Sequence, residues 1–211
     1  MIGRTSLRAV ATVAATVLLL TASSAGATTL GFDCLTQNLA GDCAIGEAQL
    51  TVDVLALGGS QVSFTFNNSG PDAAAISEVY FDDGTLLGIA SVIAGPGVMF
   101  VEGANPMNLP GGNLADPDFE VTAGFLAEAS QPPSMNGVGS GEFVTIIFDL
   151  MGGGTYADVI SELTTGELRI GIHVIGFGSG GSESFINPPI PEPGTALLLG
   201  LGLIGLGARR R

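Results

Sequence analysis

The sequence has no lysine and no tryptophan, and only one histidine, two tyrosines and two cysteines among its 211 residues. Without lysine it cannot form a Walker-type phosphate loop, which requires a lysine before its final serine or threonine. One histidine and two cysteines are too few for the four nitrogen and sulfur ligands of a structural zinc site. The scarcity of tryptophan and tyrosine gives little support to a lectin-type sugar platform.

Positive charge is almost absent from the middle of the chain. Residues 28–190 contain 19 acidic side chains and one arginine, Arg169, so this span has a net charge of −18. Such a surface repels nucleic acids and anionic lipids, which are therefore excluded as partners. Cations, neutral glycans and basic proteins remain as partner classes, and the acidity also favours solubility.

The N-terminus has the elements of an export signal. They are two arginines, an apolar segment and two small residues at cleavage spacing: Arg4, Arg8, residues 9–20, Ala25 and Ala27. This order is typical of a secretory signal peptide, here residues 1–27, that signal peptidase removes. We expect the mature chain to begin at Thr28. A retained N-terminal anchor is the alternative.

The C-terminus has three parts. They are a proline-rich triplet, an apolar segment rich in Leu and Gly, and a basic end: Pro191, Glu192 and Pro193, then residues 195–208, then Arg209, Arg210 and Arg211. The apolar segment has 14 residues. As a helix it reaches ~21 Å against ~30 Å of hydrocarbon, which predicts a short transmembrane helix and a brief hold in the membrane. The arginines stay on the cytoplasmic side.

This arrangement at residues 191–211 resembles the PEP-CTERM sorting signal of Gram-negative bacteria. The resemblance implies that an exosortase-like membrane protease cleaves near the triplet, after transient anchoring in the inner membrane. The released protein then goes to the cell surface or the extracellular polysaccharide matrix. Segments 105–113, 171–174 and 181–185 are similar to uncharacterised β-rich ectodomains found upstream of such tails. An ordinary C-terminal membrane anchor is the alternative.

The two cysteines, Cys34 and Cys43, lie close together near the expected mature N-terminus. An even number of cysteines in an exported chain predicts one disulfide, which closes a short loop here. In the chain-entropy model such a loop stabilises the fold by ~2–3 kcal/mol. Because the spacing is not Cys-x-x-Cys, a thioredoxin-like role is not indicated.

The middle of the chain predicts a mainly β fold. Apolar and polar residues alternate with the period of half-buried strands. The apolar faces are Leu50, Val52, Val54 and Ala56; Val62, Phe64 and Phe66; Val144, Ile146, Phe148 and Leu150; Leu168, Ile170, Ile172 and Val174. Short strands and Gly-rich turns favour an antiparallel β-sandwich over residues 28–190, flanked by the signal helix and the C-terminal transmembrane helix.

One short helix is predicted within this domain. Thr155 and Asp158 have the spacing of a capping box, and Gly166 follows the last apolar position as a stop signal. The segments 103–113 and 130–141 are rich in Pro, Gly, Asn and Ser, and they predict two long ordered loops.

Few residues of the domain are candidates for chemistry. Strand alternation places the single histidine, His173, on the polar, solvent-facing side of its strand. Asp116, Asp118 and Glu120 alternate, and carboxylate oxygens are the ligands that Ca²⁺ prefers, so calcium is the one cofactor with any support. No EF-hand loop is present, and the alternative is a solvated acidic surface.

These observations predict an exported surface or matrix protein with a structural or adhesive role and no catalysis of its own. The expected partners are signal peptidase, the exosortase-like protease and extracellular polysaccharide. A secreted polysaccharide hydrolase with a carboxylate pair such as Asp116 and Glu142 is one alternative. A calcium-dependent binding module is another.

Overall fold

The computed structural model describes residues 26–82 and 87–190, without the side chains at positions 87, 89 and 122–125. Most of the predicted signal peptide, including Ala25, lies outside the described residues. The same holds for the Pro191, Glu192 and Pro193 triplet, the predicted transmembrane helix and Arg209, Arg210 and Arg211. Within the described ranges, no helix is both long and apolar enough to span a bilayer.

The described chain forms eleven strands, three α-helices and one 3₁₀ turn. In chain order they are β1 (Ala27–Leu30), β2 (Asp33–Cys34), α1 (Ala40–Gln49), β3 (Leu50–Gly58), β4 (Gln61–Asn68), β5 (Ala75–Asp82), β6 (Leu87–Ala94), β7 (Phe100–Glu102), the 3₁₀ turn (Gly112–Leu114), β8 (Val121–Ala129), α2 (Pro133–Asn136), β9 (Glu142–Leu150), α3 (Tyr156–Thr165), β10 (Arg169–Ile175) and β11 (Glu183–Ile186).

The strands form two antiparallel sheets. The five-stranded sheet has the order β1-β3-β4-β9-β6, and the six-stranded sheet has the order β2-β11-β10-β5-β8-β7. A hairpin turn joins β3 and β4, with Gly58 and Gly59 at φ of 85° and 62°. The prediction of a mainly β, antiparallel fold is confirmed.

The two sheets pack face to face through aromatic side chains. Phe81 of the six-stranded sheet lies with its ring centroid 5.1 Å from Phe64 and 4.8 Å from Phe148, both of the five-stranded sheet. All three rings are almost fully buried. Edge-to-face contacts of this kind add to the hydrophobic effect of burial. The alternating apolar positions predicted from the sequence point into this shared core, apart from Ala56, which is half-buried.

Helix α3 begins and ends where the sequence predicts. Thr155 caps its N-terminus in a reciprocal capping box with Asp158, and Gly166 ends it in the left-handed conformation at φ 79°. Val159 and Leu163 are fully buried on its inner face. The local signals alone are sufficient to specify this element.

The prediction of a single helix is wrong, because Ala40–Gln49 forms the second ten-residue helix, α1. Its sequence contains Gly41 and Gly46, which weaken a helix. Its N-cap residue, Leu39, has no side chain that can cap the helix. Gly46 is required by packing, because a Cβ there would lie 2.1 Å from the ring of Phe185. Tertiary contacts therefore form α1 where local propensity does not.

Part of the outer face of the six-stranded sheet is covered, and the His173 side chain on this face is less exposed than strand alternation predicts. A small second core forms there from Tyr80, Leu109, Phe119 and Leu126. The loop that precedes β8 supplies Leu109 and Phe119, and the His173 side chain retains only 18% exposure. The first predicted long loop ends in the 3₁₀ turn, which extends one residue beyond it. The second contains α2.

Candidate functional site

We call the loop that precedes β8, residues 103–120, the covering loop. Arg169, the one arginine between residues 9 and 208, fastens this loop to the six-stranded sheet. Its guanidinium pairs with Asp82 and donates hydrogen bonds of 2.6 Å to the carbonyl oxygens of Pro117 and Asp118. It also lies 5.4 Å from the centroid of the Phe119 ring. The five donors of a guanidinium suit it to holding several oxygen acceptors at once. This cation is therefore engaged inside the domain.

A row of polar side chains crosses the same outer face. Ser184 on β11, His173 on β10, Glu78 on β5 and Glu128 on β8 are successive cross-strand partners. His173 Nδ1 lies 2.6 Å from Glu78 Oε2, which also accepts a hydrogen bond from the Ser77 hydroxyl. Directly opposed side chains of an antiparallel pair lie close enough to interact.

The Ser184, His173 and Glu78 part of this row has the residue types of a catalytic triad. A nucleophilic serine needs a hydrogen bond to its histidine and access for the substrate. Ser184 is only 1% exposed, and its Oγ has no hydrogen-bond partner among the described residues. The row therefore has the residue types of a triad, but its serine has neither the hydrogen bond to histidine nor the access to substrate.

Tyr80 lies beside this row and joins it to the covering loop. Its hydroxyl donates a 3.0 Å hydrogen bond to the carbonyl oxygen of Pro106. Burial, and then the nearby Glu78 and Glu128, hold the pKa of Tyr80 well above its usual value. Tyr80 therefore remains a neutral hydrogen-bond donor at any physiological pH.

The disulfide between Cys34 and Cys43 is formed, which confirms the predicted pairing. The carboxylate of Glu183 lies beside it at 1% exposure and accepts hydrogen bonds from the Thr36 hydroxyl and from the backbone N–H groups of Asn38 and Leu39. Leu39 is the N-cap residue of α1. A carboxylate that is distant in the sequence thus accepts hydrogen bonds from the backbone N–H groups at the start of this helix.

Sequence reasoning did not single out Glu183, although one signal was available. Glu183 and Phe185 are two residues apart on β11, so they point to the same face of the strand. Since Phe185 is an apolar core residue, an acid on that face must be buried and hydrogen-bonded.

The three residues suggested as calcium ligands do not converge. In residues 26–82 and 87–190, the one group of three His, Cys, Asp or Glu ligand atoms within 4.8 Å of one another is Cys34, Cys43 and Glu183. Asp116, Asp118 and Glu120 form no such group, and the sulfurs of the group that exists are bonded to each other. Calcium binding stays a prediction.

The two carboxylates named for a hydrolase lie in different surroundings. Asp116 lines a cleft of about 350 Å³ beside the end of α3, to which Glu142 does not contribute. Glu142 is the first residue of β9 in the five-stranded sheet, and its carboxylate accepts a 2.8 Å hydrogen bond from the Gly139 N–H. This pair therefore does not flank a common cleft.

The last described residues, Asn187–Ile190, remain attached to the folded domain; we call them the sorting junction. Asn187 and Ile170 exchange hydrogen bonds of 3.0 and 2.6 Å, through the Asn187 N–H and its side-chain carbonyl. The N–H of Ile190 donates to the carbonyl oxygen of Leu163 in α3, and its side chain packs against the main core. Pro191 follows directly in the sequence.

A family model for the PEP-CTERM protein-sorting motif matches residues 189–211. The protein has a PEP-CTERM sorting domain. This confirms the resemblance seen in the triplet, the apolar segment and the basic end, and it indicates export with membrane anchoring at the C-terminus before sorting. The PEP-CTERM match begins at Pro189, so it overlaps the sorting junction by two residues.

Neither other comparison extends this result to the β domain. No curated protein and no solved structure matches the chain. The PEP-CTERM motif therefore identifies how the protein is sorted, and the role of residues 28–188 has to be argued from their own structure.

Proposed function

We propose that this protein is exported, held briefly in the inner membrane by its PEP-CTERM tail, and then released by an exosortase-like protease to the cell surface or the polysaccharide matrix. There it has a structural or adhesive role without catalysis of its own. The observation that carries the proposal is the match of the sorting motif to the residues that directly follow a folded β domain.

The way in which the domain uses its reactive groups supports a non-catalytic role. Arg169 holds the covering loop, His173 is paired with Glu78, and Glu183 binds the start of α1. Both cysteines are in the disulfide. A domain whose reactive side chains are engaged in internal contacts is suited to remain stable outside the cell.

As the matrix partner we propose neutral polysaccharide, bound by the outer face of the five-stranded sheet. Thr29, Asp53, Thr65 and Thr145 are successive cross-strand partners on that face and form what we call the hydroxyl row. The Thr65 and Thr145 hydroxyls lie 2.9 Å apart, and Phe143 is 38% exposed on the same face. The three hydroxyls and the Asp53 carboxylate of this row can hydrogen-bond to sugar hydroxyls, and the aromatic ring beside them can pack on the face of a sugar ring.

Sorting is tested by intact mass and fractionation of the protein from its native host, with and without the exosortase-like enzyme. We expect a mature species that lacks residues 1–27 and the apolar, basic tail, and that is found at the surface or in the matrix only when the enzyme is present. Glu192→Ala should leave the full C-terminus in the membrane, and Glu167→Ala, which removes an exposed acid from the domain, should not. A complete C-terminus in the inner membrane of both strains would overturn the proposal.

Polysaccharide binding is tested separately by co-sedimentation of the purified protein with matrix polysaccharide from the same host. Replacing Thr65 and Thr145 together by Val keeps the shape of the sheet face and removes two hydroxyls. We expect binding to fall at least tenfold, whereas Thr164→Val on α3 should leave it unchanged. Equal binding by both variants would exclude the hydroxyl row as the site.

A further inference from the structure

The five-stranded sheet has one long free edge, strand β6. It is the last strand of that sheet and pairs only with β9. No backbone group of residues 87–94 has a hydrogen-bond partner on the other side within the part of the chain that the structure describes. An edge of this kind presents a row of free N–H and C=O groups to another strand.

The other three sheet edges are short. Strand β1 has four residues, β7 has three, and β2 has two and carries one half of the disulfide. Proteins protect edges by making them short or by placing charges or prolines on them. Strand β6 has eight residues, Leu-Gly-Ile-Ala-Ser-Val-Ile-Ala, with neither a charge nor a proline. Its one protective feature is a register shift between Ile89 and Ser91.

We propose that two copies of this chain associate by pairing their β6 strands antiparallel, which joins two five-stranded sheets into one ten-stranded sheet. The two-fold axis passes between Ala90 and Ser91. This edge needs an extended strand with free backbone groups, and β6 of a second copy supplies one without adding charge. Such an isologous contact closes on itself as a dimer.

Charge does not oppose this pairing. Of the two acids on the neighbouring strand β9, Asp149 is the cross-strand partner of Gly88, and Glu142 lies beyond the last paired position, Val144. With the axis between Ala90 and Ser91, the Asp149 residues of the two copies lie about 20 Å apart at ~3.3 Å per residue and ~4.8 Å per strand, beyond a Debye length of ~10 Å.

Side-chain shape fits the same register. With the axis between Ala90 and Ser91, Ile93 of one copy lies opposite Gly88 of the second copy. Ile93 is 51% exposed, and Met151, which is 47% exposed, lies 3.8 Å from the position of a Cβ on Gly88. Ile93 of each copy would therefore fill the space that the missing Gly88 side chain leaves and cover Met151 of the other copy.

The experiment is sedimentation velocity of the full chain, extracted in mild detergent, over the micromolar concentration range. We expect a dimer for the natural sequence and a monomer for Ile93→Asp, because the new carboxylate would lie near Asp149 of the second copy. Val101→Asp is the matched control, since Val101 is 48% exposed on β7, an edge strand of the six-stranded sheet. It should remain dimeric. The proposal would be overturned if the natural protein were a monomer over the whole concentration range, or if the two substitutions had equal effects.

Disulfide trapping gives a second test that does not depend on the folding of a charged variant. Ser91→Cys places one free thiol next to the proposed axis, because both native cysteines are already paired. Mild oxidation should yield a covalent dimer from Ser91→Cys and monomer from Val101→Cys. Trapping through Val101→Cys alone would place the interface at β7 and contradict the β6 pairing.

Discussion

The carboxylate of Glu183 accepts a 2.6 Å hydrogen bond from the backbone N–H of Leu39, a residue 144 positions away in the sequence. The contact ties the last strand of the domain to the first turn of α1. With the neighbouring disulfide, it converts a weak helix-forming segment into a fixed element. Several measurable consequences depend on contacts of this kind.

Removing the Glu183 carboxylate should destabilise the domain strongly. Glu183→Ala leaves the N–H groups of Asn38 and Leu39 and the Thr36 hydroxyl without their buried acceptor. We expect the free energy of unfolding to fall by about 2–4 kcal/mol, since each unsatisfied buried donor costs about 1–3 kcal/mol. Denaturant unfolding measures this. Glu102→Ala, at an exposed glutamate, should change stability by less than about 0.5 kcal/mol.

Breaking the Arg169 contacts should loosen the covering loop. Arg169→Ala removes the ion pair with Asp82 and the hydrogen bonds to Pro117 and Asp118. We expect a loss of about 2–3 kcal/mol and faster hydrogen exchange of the amides in residues 103–120. Arg169→Lys should restore only part of this, because one ammonium cannot reproduce the guanidinium fork. Full restoration by lysine would contradict the proposed geometry.

Gly171 should tolerate no side chain. A Cβ at this position would lie 2.8 Å from Leu109 Cδ2 and 2.9 Å from Phe119 Cζ, both buried in the second core. Gly171→Ala should therefore cost about 1–3 kcal/mol through overpacking. Gly178→Ala is the control, since a Cβ there meets nothing within 4 Å. Thermal melts compare the two, and equal melting temperatures would show that the loop does not pack on β10 as described.

The capping box of α3 should make stability depend on pH. Hydrogen bonds from the side chain and then the backbone of Thr155 hold the pKa of Asp158 below its ordinary value of 3.8. A lowered folded-state pKa stabilises the fold above the unfolded-state pKa, and this contribution disappears as the pH falls through the folded-state value.

Thr155→Val should consequently raise the pKa of Asp158 and lower the melting temperature more at neutral pH than in acid. Some loss should remain in acid, because the Thr155 hydroxyl also accepts a hydrogen bond from the Asp158 N–H. An NMR titration of the Asp158 carboxyl group measures the first effect, and melting curves at both pH values measure the second. Ser161→Ala, on the exposed side of the same helix, should alter neither.

The sequence alone is sufficient to predict the features of this protein that have a local cause. The alternation around Val52, Phe64 and Ile146 predicted strands and their buried faces, since period two is a property of the strand itself. Thr155, Asp158 and Gly166 predicted α3 because caps act within one turn. The short spacing of Cys34 and Cys43 in an exported chain predicted their disulfide, and the C-terminal residues predicted the sorting motif.

Tertiary structure decided everything that depends on contacts between distant residues. Helix α1 contains Gly41 and Gly46, and it forms because Glu183 and the disulfide hold its beginning while Phe185 needs the space that Gly46 leaves. The low exposure of the His173 side chain accompanies its 2.6 Å contact with Glu78 on the neighbouring strand β5. Alternation specifies which side chains share a face of a strand. Whether that face meets water or another segment is decided by the energy of packing the whole chain.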